Sequence, residues 1–142
     1  MKSSKLEQQA IITSEYVEII ENMTQSFWGL SLIKVALFSY IIRKRKFYRS
    51  PIHDGKTKKD LVTKVISELS GNLNDFLLNL KYVLLAVDIL VASNRLLYVQ
   101  GNLTFNGSRQ STIDIDGFIA NAIEESRKYS DRQIMKEILQ NV

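Results

Sequence analysis

The chain has no cysteine, and histidine, proline and tryptophan occur once each in its 142 residues. Without cysteine there are no disulfides, no thiolate nucleophile and no cysteine-ligated zinc. The single histidine, His53, lies in a polar stretch and supports neither a Cys/His dyad nor a histidine-rich metal site. Neither G-x-x-x-x-G-K-[ST] nor G-x-G-x-x-G occurs, so the usual phosphate-cradling loops are missing. Asp114-Ile115-Asp116 sets two carboxylates two residues apart, a spacing open to a hard cation. The rest of an EF-hand loop is lacking, and a pair of acids at a helix start is the ordinary alternative. Glu124-Glu125 reads as a solvated helix face. An enzyme is therefore not expected, and neither is a cofactor or a metal. The longest strongly apolar stretch, Phe76 to Ala92, is interrupted by Asn79, Lys81 and Asp88. That makes it too short and too polar for a membrane span. Met1 to Glu7 carry two lysines, but no apolar segment follows, so no secretory signal is expected. Together with the missing cysteines this fits a cytoplasmic chain.

What is present suffices for one folded domain. Hydrophobic residues make up 45% of the chain, enough for a real core, and charged residues 24%, an ordinary share. The net charge of +4 is unevenly spread. Arg43, Lys44, Arg45, Lys46, Arg49, Lys56, Lys58 and Lys59 stand against only Asp54, whereas the first 22 residues hold Lys2 and Lys5 against Glu7, Glu15, Glu18 and Glu21. Three readings of this basic cluster stand side by side: a solvated helix end and loop, a sequence-independent contact with DNA backbone, or a contact with an acidic protein surface. Phe47 and Tyr48 interrupt it, either to stack on bases or to anchor the loop on the core.

Hydrophobic spacing sets the elements. Met1 to Thr13 is polar and reads as a frayed arm. Ser14 to Met23 reads as a short helix capped by Ser14, although its apolar positions also permit a strand. Ser31 to Lys46 is a helix with Leu32, Ile33, Ala36, Leu37, Tyr40 and Ile41 at helical spacing, its cations gathered at the C-terminal end. Phe47 to Thr57, with Pro51 and Asp54-Gly55, is a loop. Lys58 to Leu69 is a second helix closed by Gly71 in a left-handed cap. A long third helix follows Asn72 or Asn74 and ends near Ser93, with Asn94 as its C-cap. Leu96 to Gln100 and Leu103 to Asn106 then alternate as strands about a Gly101-Asn102 turn of type II′. Two short helices come last, separated at Ser130-Asp131.

The expected fold is mainly α with one small β-hairpin. Residues 1–25 form an N-terminal arm or helix, 26–108 a winged-helix-like unit, and 109–142 a C-terminal helical extension. In a DNA-reading winged helix the third helix shows polar and basic side chains to the major groove. Here that helix carries Lys81 alone between Asn74 and Ser93, countered by Asp75 and Asp88, and the hairpin Leu96 to Phe105 has no lysine or arginine. Phosphate contacts supply most non-specific DNA affinity, so the unit suits protein docking better. The third helix is apolar around most of its circumference. It should be buried on several sides, against another helix such as the N-terminal one or against a second protein. Phe27, Trp28, Leu77, Leu84 and Tyr98 are the candidate partner-interface residues. Phe27 and Trp28 read equally as core anchors or as interface hot spots.

Two segments carry a resemblance: F-W-G-L-S-L-I-K-V-A-L-F-S-Y-I-I from Phe27 to Ile42, and L-N-L-K-Y-V-L-L-A-V-D-I-L-V-A-S-N-R-L-L-Y-V-Q-G-N-L-T-F from Leu78 to Phe105. Between them the chain resembles the middle component of ABC-three-component systems, the bacterial anti-phage operons that include the Lamassu type. That family shows an L-x-A-L-D-x-L helix before a small hairpin; the matching residues here are Leu85-Ala86-Val87-Asp88-Ile89-Leu90 and then Leu96 to Val99. Asn94 and Arg95 stand where the family usually has glycine. The resemblance implies a non-catalytic, kleisin-like or winged-helix adaptor. Such an adaptor would dock on an SMC-like ATPase and link it to an effector nuclease, with the Arg43–Lys59 cluster touching DNA over the ATPase heads. The alternative expectation is a stand-alone winged-helix transcription regulator.

Overall fold

The computed structural model describes residues 2–48, 61–107 and 115–140, with the side chains of 2, 3 and 46–48 left aside. The fold is mainly helical with a small antiparallel sheet. Helix α1 (Lys2–Ser26) leads through strand β1 (Leu30–Ser31) into α2 (Leu32–Tyr48). After it come α3 (Leu61–Ser67), α4 (Leu73–Ala92), the strands β2 (Leu96–Val99) and β3 (Asn102–Phe105), α5 (Gly117–Glu125), one 3₁₀ turn at Ser126–Lys128, and α6 (Asp131–Gln140).

Helix α2 is the centre. Seven consecutive residues, Val35 to Ile41, are buried, as the run demands: it holds no charge, the nearest being Lys34 and Arg43 at its ends. Ser39, the polar member, returns its hydroxyl to the Ala36 carbonyl at 3.3 Å. Helices α1, α4, α5 and α6 all pack on α2. So the helix surrounded on all sides is α2, not α4 as its composition suggests. α4 buries a single stripe, Phe76, Asn79, Val83, Ala86 and Leu90, against α1 and α2. It leaves the opposite side in water.

The N-terminal segment is a single 25-residue helix rather than a frayed arm before a short one. Ser14 does not start it. Its hydroxyl folds back onto the Ile11 carbonyl at 2.8 Å, and Thr13 does the same to Gln9 at 2.8 Å, which lets both sit mid-helix. Tyr16, Ile19, Ile20, Met23 and Phe27 face the core, and α4 is the main partner of α1.

The sheet has three strands in the order β1-β3-β2, one more than the expected hairpin. β1 joins β3 through Leu30 opposite Leu103; two residues are too few to leave a periodic signature. The hairpin turn lies one residue earlier than expected. Val99 pairs with Asn102, and Gln100 and Gly101 take φ of 51° and 79°, the two left-handed residues of a type I′ turn.

At the end of α4, Asn94 is left-handed (φ 61°). Its amide reaches the Val91 carbonyl, and that of Arg95 the Leu90 carbonyl, a Schellman closure. The base of the hairpin is clamped to this cap: the Asn106 amide donates to the Arg95 carbonyl and its side chain to that of Asn94, at 3.0 and 2.7 Å. Before α6, Ser130 and Gln133 cap each other reciprocally at 3.1 and 2.7 Å, so the expected break and fresh cap are present. Gly71 has the left-handed φ expected of it, 77°.

Leu90 is fully buried where α4 meets the rest of the core. Leu90→Ala is expected to cost about 2–5 kcal/mol, read as a lowered urea midpoint with an unchanged slope.

Candidate docking surface

A polar network links α1, α2 and α4 around the buried Tyr16, Tyr40 and Asn79. The Tyr16 hydroxyl donates to Asn79 Oδ1 at 2.9 Å, and the Asn79 side-chain amide donates to the Asp75 carbonyl at 2.8 Å. Tyr40 donates to the Asp75 carboxylate at 2.6 Å. Arg43 reaches Glu15 at 2.7 Å and lies over the Tyr16 ring, 5.6 Å from its centre. Burial drives both tyrosine hydroxyls above their ordinary range, and for Tyr40 the bond to Asp75 adds to the effect. They stay protonated as donors and fix the register of α1, α2 and α4.

Within the basic cluster, Arg43 and Arg45 are engaged with carboxylates of the same chain. Arg45 bonds Asp116 and Glu68, the latter at 3.4 Å, with its guanidinium 4.7 Å above the Phe118 ring. Lys44 lies over Tyr40 at 5.7 Å. The Lys46 side chain and Arg49, Lys56, Lys58 and Lys59 fall outside the described residues, as do His53 and Asp114. Asp116, from the carboxylate pair, caps α5 by accepting from the Phe118 amide at 3.0 Å. Among the described residues no group of three metal-binding side chains occurs. Glu125 is not a solvated residue: it accepts from the Leu61 amide at 3.2 Å and so ties the start of α3 to α5. Glu68 is pushed above its ordinary range by burial, which outweighs the opposing pull of Arg45.

Two exposed apolar patches lie on either side of β2. The first is the outer side of α4, where Leu77, Leu78, Leu84 and Leu85 are each at least half exposed, with Ile89 and Val91 beyond them. It continues onto Tyr98, 61% exposed, around a shallow concavity lined by Leu84, Leu85 and Val91 together with Lys81 and Asp88. The second centres on Trp28, 52% exposed, and runs along Leu97 and Val99 towards Phe105 and Arg127. Of the five candidate interface residues, Trp28, Leu77, Leu84 and Tyr98 are thus at the surface. Phe27 is buried at 8% exposure and serves the core. Leu78, Leu85, Leu97 and Val99 belong to the same patches and were not singled out. For Leu78 and Leu85 the signal is a second apolar stripe on α4, beside the one that meets the core; for Leu97 and Val99 it is their alternation with Leu96 and Tyr98 along β2. Monomeric proteins seldom leave so many large apolar side chains together in water.

No helix among the described residues is long and apolar enough to cross a membrane. No family model matches the chain, and neither a curated protein sequence nor a solved structure is detectably similar to it.

Tyr16→Phe removes the donor to Asn79 and is expected to cost about 1–2 kcal/mol, measured by thermal unfolding. The raised Glu68 carboxyl means that the folded chain holds its proton more tightly than the unfolded one. Stability from this group therefore falls as pH rises from the ordinary carboxylate range through the raised value. Urea midpoints across mildly acidic pH should show that fall in the wild type and a flatter profile in Glu68→Gln.

Proposed function

We propose that this chain is a non-catalytic docking subunit, with α2 to β3 as a winged-helix-like unit that meets protein rather than DNA bases. The observation that carries this reading is the pair of exposed apolar patches flanking β2, on the elements that would otherwise read DNA. The helix before the hairpin presents leucines outward, with Lys81 its only cation. The hairpin carries none, so both elements lack the phosphate contacts that hold such units on a duplex. Aromatic anchors in apolar surroundings are the usual hot spots of protein interfaces, and Trp28 and Tyr98 fit that description. On the strength of the resemblance, the partner is an SMC-like ATPase, and the subunit links it to an effector nuclease in an anti-phage complex.

Co-expression with the proteins encoded beside it, followed by light scattering, tests this. A stable assembly containing the ATPase is expected, and Trp28→Ala should weaken capture by about tenfold or more. A well-behaved chain that ignores its neighbours, or one whose capture is indifferent to Trp28 and to the α4 leucines alike, would sink the reading.

A further inference from the structure

The outer side of α4 is nearly a palindrome. Lys81 and Asp88 lie on its centreline, seven residues and two turns apart, or about 10 Å. Leu84 and Leu85 sit between them, one to each side. Leu77 and Leu78 precede the group and Val91 and Ala92 follow it, all exposed. Reversing the residue order about the midpoint of Leu84 and Leu85 exchanges Lys81 with Asp88, Leu78 with Val91, and Leu77 with Ala92.

Any occupant of this patch must answer two charges. Covering Lys81 and Asp88 with apolar surface alone would strand both, which is costly. The patch therefore calls for a helix offering an acid opposite Lys81 and a base opposite Asp88, with leucine-sized side chains between. α4 itself, run in the opposite direction, is such a helix. A parallel pair would set lysine against lysine and aspartate against aspartate.

We infer that the α4 patch is covered by a second copy of this chain, in an antiparallel α4–α4 pair whose two-fold axis passes between Leu84 and Leu85. Lys81 then faces the partner's Asp88 and Asp88 the partner's Lys81, an isologous contact in which each pair occurs twice. Tyr98, beside Leu84 and Val91 at the rim, closes the flank. This rests on the docking reading above and divides its two patches: the α4 patch serves self-association, and the Trp28 patch remains for the ATPase.

The test is sedimentation of the isolated full chain over a concentration series, with circular dichroism confirming that each variant is folded. The wild type is expected to reach twice the monomer mass. Lys81→Asp and Asp88→Lys each place like charges opposite one another twice, and each should raise the dissociation constant about tenfold or more. The double variant K81D/D88K restores the opposition and should return to within a few-fold of wild type. A wild type that stays monomeric throughout, a dimer indifferent to both single reversals, or a double variant no better than the singles would overturn the inference. Capture by the ATPase is scored separately. A monomer still captured through Trp28 removes only the self-association, and a charge-sensitive dimer that is never captured removes only the ATPase docking.

Discussion

Everything in this molecule is arranged around the need to keep water from the middle of α2. Val35 to Ile41 leave no polar edge for solvent, so the helix must be enclosed all round. α1 and α4 enclose it on one part of its surface, α5 and α6 on another. At about 1.5–3 kcal/mol for each large side chain withdrawn from water, this enclosure is the dominant source of stability. The polar network of Tyr16, Asn79, Asp75, Tyr40 and Arg43 adds little net energy by comparison. It selects one register of the three helices among the many that leucine and isoleucine alone would tolerate.

The same packing explains where the basic side chains end. Arg43 and Arg45 follow the buried run on α2 directly and emerge among the neighbouring helices. There Glu15 of α1, Glu68 after α3 and Asp116 before α5 meet them. In sequence these residues are a run of positive charge. In space their heads are distributed over three different contacts, and Arg45 works as a bracket between the first and last thirds of the chain.

Much of the architecture was legible in the residues: three helices then a hairpin, the left-handed Gly71 and Asn94, and the fresh cap at Ser130. Each depends on local chemistry that a few neighbouring residues determine. What was not legible depends on distance. The full length of α1 left little trace because its first turns are mostly polar and stay largely exposed, and its packing on the core begins only near Ile12. β1 is two residues long and exists only because β3 passes beside Leu30. The hairpin turn moved by one because Gln100 takes a left-handed conformation ahead of Gly101, which leaves Asn102 free to pair with Val99. The order of burial among the helices was hidden as well: α4 has the more apolar composition, yet α2 has the longer run without charge, and the run decides. Of the candidate interface residues, Trp28 and Phe27 are adjacent and chemically alike. Only the turn after α1 sends one outward and the other in.

The bond between the Ser31 hydroxyl and the Asp131 carboxylate, 2.6 Å long, joins residues a hundred positions apart, and that from Tyr16 to Asn79 spans 63. A mainly helical protein of this size ordinarily folds fast because its contacts are local; here the decisive ones are remote. As the chain leaves the ribosome, α2 emerges after α1 but ahead of α4, α5 and α6, which supply the rest of its cover. For most of its synthesis the segment that most needs enclosure is therefore open to whatever apolar surface is nearby. The window in which this protein is most exposed to misassociation is set by the order of its helices along the chain rather than by the stability of the finished fold.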